Sequence, residues 1–206
     1  MRIIIAFFLL LLSSCVQQEE EFNVTAVSYE SANSIALEET SVIYSRITSR
    51  SFAQEEITEG VLEEVLKAGF TSPTGGNQHA LEFIVIKDQE IMQKIKEVDP
   101  YMNICPVVIL ISGNKAQATY PELLVMDAAM AAENIILRAS ELSLASVAMS
   151  VYPTEIRMST VSSLCELPQE IEPILMVGLG YPLDSSTGSS TEYYNTSQIH
   201  YDTYAK

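Results

Sequence analysis

Residues 106–112 read Pro-Val-Val-Ile-Leu-Ile-Ser, apolar at every position from Val107 to Ile111. Successive side chains of a strand point to opposite faces, so a strand of this composition is buried on both. Strands are also predicted over 81–87, 144–150 and 174–178, and helices over 58–68, 89–97, 122–142 and 154–164. In the helix over 58–68, Thr58 is the candidate N-cap, Val61, Leu62, Val65 and Leu66 form one face, and Gly69 is expected to end it. The long helix carries Asp127-Ala-Ala-Met-Ala-Ala-Glu-Asn134, whose small residues predict a close crossing with another helix. Interleaved strands and helices without an internal repeat indicate an α/β or α+β sandwich. A Gly/Pro/polar loop is expected over 71–80, another loop over 184–190, and a Tyr-rich tail over 193–204.

The amino terminus reads as an address. Met1-Arg2 is basic, and Ile3 to Leu12 is unbroken apolar sequence. Those ten residues are too short for a bilayer core of about 30 Å, which needs roughly 20, but suit the h-region of a signal peptide. Leu12-Ser13-Ser14-Cys15 follows at once and resembles the bacterial lipobox. The resemblance implies cleavage before Cys15, a diacylglycerol on its thiol and tethering in the bacterial cell envelope. An ordinary signal peptide or an uncleaved anchor that happens to hold a cysteine is the alternative. The expected organisation is a lipoprotein signal peptide over 1–14, a lipid-anchored tether over 15–40 with a helical turn near 31–39, and one domain over 41–206.

The chain has 206 residues, with 11 Lys and Arg against 27 Asp and Glu, a net charge of −16. Such a chain repels phosphate backbones, which argues against nucleic-acid binding. It also makes each cation informative, because any anion site must draw on them. Three cysteines and two histidines, His79 and His200, are not spaced as metal ligands, so no metal is expected.

Two constellations stand out. Arg46-Ile47-Thr48-Ser49-Arg50 brings two guanidinium groups and a hydroxyl close together, a donor set suited to a phosphate monoester. The stretch 72–79, Ser-Pro-Thr-Gly-Gly-Asn-Gln-His, offers small residues that let backbone approach a ligand, with amide donors and acceptors beside them. Taken singly, each also reads blandly, as surface arginines and as a helix-to-strand turn. His79 could donate a proton or be a plain polar contact. Cys105 reads as a packed residue. Gly178-x-Gly180, placed after a strand, lacks the helix start of a dinucleotide fingerprint. There is no G-x-S-x-G and no P-loop.

In order, these pieces resemble the nitroreductase family of FMN-dependent oxidoreductases over roughly 165 residues. Arg46-x-Thr48-x-Arg50-x-Phe52 stands where that family has Arg-x-Ser-x-Arg-x-Phe. Ser72 to Phe83 stands for its Ala-Pro-Ser-x-x-Asn-x-Gln-Pro-Trp-x-Phe block. Asp127-Ala128 through Asn134 matches its long helix, and Leu167-Pro168 leads to Gly178-Leu179-Gly180-Tyr181-Pro182. The resemblance implies an α+β, three-layer α/β/α sandwich around a mixed, mostly antiparallel sheet. It implies a homodimer with two FMN sites, each built from both subunits.

By position, Arg46 and Thr48 are implied at the FMN phosphate, Ile47 among the cofactor-binding residues, and Arg50 near the pyrimidine edge, where its charge favours the reduced ring. Pro73, Thr74, Gly75 and Asn77 would come from the other subunit, and Met149 and Ser150 would supply backbone to the ring. No catalytic residue is assigned, since the redox chemistry would be the cofactor's. The implied acceptor is a small molecule, a nitroaromatic, quinone or flavin. The electron donor is NAD(P)H or, for an exported protein, a membrane-linked carrier.

The chain departs from the family in three places. His79-Ala80-Leu81 replaces Gln-Pro-Trp, and Leu142-Ser143-Leu144-Ala145 replaces a Gly-Leu-Gly turn. No Lys or Arg occurs between 184 and 205, where the family grips the phosphate again. The competing reading is therefore a flavin-free or flavin-weak surface lipoprotein, a binding module on the same fold.

Overall fold

The computed structural model describes residues 41–46, 48–99, 105–183 and 195–204. The expected leader and tether, with the helical turn expected near 31–39, the expected 184–190 loop and Ile47 lie outside the described residues, and the tail is described from Asn195 to Tyr204. In chain order the elements are α1 (Val42–Ser45), α2 (Glu59–Phe70), β1 (Leu81–Ile86), α3 (Gln89–Val98), β2 (Val107–Asn114), α4 (Leu124–Glu141), β3 (Ala145–Ser150), α5 (Glu155–Leu164) and β4 (Ile171–Gly180). The strands form one sheet in the order β1-β2-β4-β3, with every neighbouring pair antiparallel. Outside the named strands, an isolated parallel bridge joins Thr48 to Ser146 at the β3 edge.

The alternation along β2 separates the two cores. Val107, Ile109 and Ile111 face α2 and α4, against Leu62, Val65, Ala128, Ala131 and Ile135. Val108 and Leu110 face α3 and α5, against Met92, Ile95 and Val161. All five β2 side chains are essentially inaccessible, as an apolar run in the middle layer requires. Helix α3 starts where the Asp88 carboxylate accepts from the amides of Glu90 at 2.7 Å and Ile91 at 3.3 Å.

The expected close helix crossing is that of α2 with α4. Ala128, Ala131, Ala132 and Ala139 are all buried. Asn134 Nδ2 donates to the Ala68 carbonyl at 3.2 Å and ties the end of α2 to α4. Gly69 does not end α2, which continues to Phe70 with Thr71 as its C-cap. The residue serves packing instead: a Cβ there would stand 2.9 Å from Ile135 Cδ1 and 3.1 Å from Phe83.

β4 is also longer than the expected 174–178. It begins at Ile171 and runs through Pro173, which the ladder tolerates because its register shifts there. Ile111 pairs with Leu175 and Ser112 with Pro173, leaving Ile174 as the bulged residue. The Ile174 carbonyl accepts from the amides of Val151 at 3.0 Å and Tyr152 at 2.9 Å, which steers the chain as it leaves β3. Gly178 and Gly180 lie inside β4, not after it. Cys105 is buried as expected, and burial pushes its thiol up to about 11, far from a nucleophile's range.

Among the described residues no helix is long and apolar enough to cross a membrane. Nor, among them, does any group of His, Cys, Asp or Glu stand ready to hold a metal ion.

Candidate functional site

The segment 48–53 is zipped onto the sheet through its backbone. Thr48 bridges Ser146 on β3, and the Ser49 amide donates to the Ser146 carbonyl at 3.0 Å. Phe52 bridges Pro182, and the Ala53 amide donates to the Tyr181 carbonyl at 2.9 Å. Phe52 is the apolar anchor, buried over Gly180, where a Cβ would meet its ring at 2.9 Å and Pro106 at 2.8 Å. Ser49 is turned inward, its hydroxyl donating to the Ser51 carbonyl at 2.8 Å. The residues between the anchors, Thr48, Arg50 and Ser51, are exposed. Arg46 is half-buried, and its Nε lies 3.4 Å from Glu133 on α4. Arg50 makes no ion pair with a described residue.

Met149 and Ser150 end the same β3 strand that carries Ser146, with Met149 buried and Ser150 exposed. Four residues of strand place that end about 13 Å from the Thr48 bridge. The edge strand thus lines up the Arg46–Arg50 segment and the 149–150 segment in one row.

The loop 72–79 is built differently. Ser72 is buried, its hydroxyl donating to the Gly69 carbonyl at 2.9 Å. The Gly75 amide donates to Asp127 Oδ1 at 2.8 Å, and Asp127 is 4% exposed at the start of α4. A Cβ on Gly75 would stand 2.4 Å from Leu123, so only glycine lets the loop sit on α4 this closely. Gly76, Asn77 and His79 follow with φ of 64°, 55° and 50°, the left-handed region. Gln78 clasps the loop: its Nε2 donates to the Gly75 carbonyl at 2.6 Å, and its Oε1 accepts from the Thr119 amide and from the Tyr120 amide at 3.2 Å. His79 Nε2 and Asn77 Oδ1 are 3.0 Å apart. Pro73 and Asn77 are exposed and Thr74 half-buried.

The two halves hang on different points of one helix. The loop hangs on Asp127 and Arg46 on Glu133, six positions apart on α4. That is about 9 Å along the helix axis and about 120° around it. Large apolar side chains lie uncovered nearby: Ile43 on α1 is 60% exposed, Phe70 at the end of α2 62% and Met126 on α4 61%.

Sequence reasoning missed Asp127 and Glu133 as individual residues, although both lie inside a stretch it singled out, and it read Gln78 as an amide offered to a ligand where the structure uses it to clasp the loop. It also missed Arg157 and Asp99. Arg157 Nη2 lies 3.3 Å from Asp99 Oδ1, and its Nη1 donates to the Ser150 carbonyl at 3.1 Å. The replaced turn at 142–145 keeps the geometry of a glycine: Ser143 takes φ 62° and Leu144 N donates to the Ala139 carbonyl at 2.8 Å, closing α4 in a Schellman motif.

The nitroreductase family model matches residues 43–99 and 98–181. A protein of Archaeoglobus fulgidus assigned as an NADH dehydrogenase/NAD(P)H nitroreductase is 32% identical over 164 residues, covering 77% of this chain and 94% of its own. A crystal structure from Clostridium acetobutylicum, assigned as an NADH oxidase, superposes with a TM-score of 0.74 at 28% identity, over 79% of this chain and 99% of that one. An FMN-dependent nitroreductase from Clostridium difficile superposes with a TM-score of 0.73 at 20% identity, over 80% and 99%, and so shares the fold. With the zipped Arg46–Phe52 segment, the pinned glycine loop and the antiparallel sheet in place, the chain belongs to the nitroreductase family of oxidoreductases.

Proposed function

We propose that the protein is a lipid-anchored, FMN-dependent oxidoreductase that works as a homodimer and reduces a small acceptor, a nitroaromatic, quinone or flavin. The observation that carries the reading is the Arg46–Phe52 segment. Its backbone and Phe52 are taken up by the sheet, so Thr48 and Arg50 are left outward and available to an anion.

The residues present suit FMN. Arg46 and Thr48 offer charged and neutral donors to a phosphate. The 149–150 end of β3 lies in the same row, about 13 Å away, where an extended ligand held at Thr48 would place its far end. Arg50, exposed between them, adds a positive charge that favours electron uptake by a bound ring. The chemistry FMN supplies when bound is redox exchange between a donor and an acceptor. The Pro73–Asn77 loop of a second copy would close the site, and the uncovered Ile43, Phe70 and Met126 give that copy an apolar surface to bury.

The physiological donor, on this reading, is a membrane-linked carrier. A protein tethered at Cys15 outside the cytoplasm works away from the nicotinamide pool. Anchoring is tested by Cys15→Ser, which should release the protein or leave the precursor. Maturation at the same mass, with partition into detergent, would contradict it. Stopped-flow reduction distinguishes the donors: fast, saturable bleaching by NADH or NADPH with none by quinol analogues would refute the carrier.

The cofactor is tested by purifying the full chain in detergent and titrating it with FMN. Yellow protein with flavin bands supports the proposal. A colourless protein that takes up no FMN moves the weight to a surface binding module, which the absence of Lys or Arg between 184 and 205 favours.

A further inference from the structure

We infer that Arg157 and Asp99 form a clamp that positions the 149–150 end of β3 toward the flavin ring; the inference rests on the cofactor reading above. Arg157 lies on α5, on the face of the sheet away from α4. Its guanidinium reaches the end of β3, where Nη1 donates to the Ser150 carbonyl at 3.1 Å and lies 3.4 Å from the Ser150 hydroxyl. Nη2 meets Asp99, the residue that ends α3, at 3.3 Å. Asp99 is 1% exposed, the Arg157 side chain is 18% exposed, and Arg157 Nε is buried without a partner.

Three features separate this pair from an ordinary structural salt bridge. A chain with 11 cations commits one of them, mostly buried, to this contact, although a buried pair contributes little net stability compared with apolar packing. The pair tolerates an orphaned Nε–H, which is a further penalty. And the one backbone group it holds belongs to Ser150, a residue implied to meet the flavin. The exit from β3 needs such a support. Val151 and Tyr152 both turn to the Ile174 carbonyl, so their own ladder ends there, and Ser150 C=O has the guanidinium as its partner. Arg157 is therefore a positioning residue: its fork orients the Ser150 peptide, and Asp99 orients the fork.

The clamp carries no net charge, which makes it testable. Arg157→Met alone takes the guanidinium away from the buried Asp99 carboxylate and should lower the melting temperature. Adding Asp99→Asn replaces the pair by neutral groups, restores much of that loss and leaves the net charge of the site as it was. In the FMN-loaded protein the double variant should still show an altered visible circular dichroism of the flavin and a kcat lowered about tenfold, with KM for the acceptor little changed. In the FMN-free protein, amide exchange at Met149–Val151 should speed up about tenfold or more. A double variant that matches wild type in flavin dichroism, kcat and exchange overturns the clamp while leaving the cofactor reading intact. Wild-type protein that binds no FMN overturns both.

Discussion

The two halves of the candidate site are held in place by opposite means. The Arg46–Phe52 segment is fixed by backbone bonds to Ser146 and Tyr181 and by one buried ring, so its exposed side chains have no structural task. In the 72–79 loop the side chains themselves are the fixings: Ser72, Gln78 and, from α4, Asp127. Backbone zipping frees a motif to meet a ligand. Side-chain pinning gives the loop a shape that backbone alone would not keep, with three residues at positive φ. Substitutions should therefore act differently in the two places.

Removing the anchor of the first half should have the largest effect. Phe52→Ala empties the space over Gly180 and Pro106 and should cost about 3–4 kcal/mol, read by urea denaturation, with FMN affinity falling as the segment detaches. A loss under about 1 kcal/mol would mean the backbone bonds suffice alone. In the second half, Asp127→Ala leaves the Gly75 amide without its carboxylate and should cost about 2–3 kcal/mol. Its distinguishing mark is amide exchange that accelerates over 74–79 while residues 48–53 stay protected.

Arg46→Ala tests whether side chains in the first half are free for a ligand. Stability should hardly change, because its pair with Glu133 is half-exposed. FMN affinity, measured by fluorescence quenching, should weaken by about 2 kcal/mol, since a phosphate loses a charge-assisted partner. Equal weakening of riboflavin would place Arg46 elsewhere. Ser143→Gly relieves a left-handed serine at the turn that launches β3, the strand the first half is zipped to. It should raise stability by about 0.5–1 kcal/mol, seen as a higher urea midpoint. The smallest change is expected from Glu133→Gln, which releases Arg46 and should tighten FMN by a few tenths of a kcal/mol without affecting riboflavin.

What could be read from the sequence followed from strong local patterns. The apolar run at 107–111 announced a doubly covered strand, because burial on both faces leaves no room for polar residues, and the alanines of α4 announced a tight crossing, because small side chains let two helices approach. The Arg46–Phe52 and 72–79 stretches were found as motifs. Their supports were not, because Asp127 lies 52 residues from Gly75, and Gln78 lies 42 from Tyr120. Nothing local distinguishes a carboxylate that pins a loop from one that is solvated. Pro173 hid the first half of β4, since a proline argues against a strand unless a bulge accommodates it. Gly69 suggested a helix end where the real constraint was the approach of Ile135. Arg157 and Asp99 lie 58 positions apart and meet only through the packing of α3 against α5.

The central claim is that each site takes Arg46 from one copy and the pinned loop from the other. Subunit mixing tests it directly. Arg46→Ala and Asp127→Ala proteins, each poor in FMN binding, are unfolded together at equal concentration, refolded and titrated with FMN. If sites are shared between chains, half of the dimers are mixed and each mixed dimer has one site free of both changes. Tight binding should then return to about a quarter of all sites. If each site is built within a single chain, every site carries one defect, and no tight binding would return at any mixing ratio.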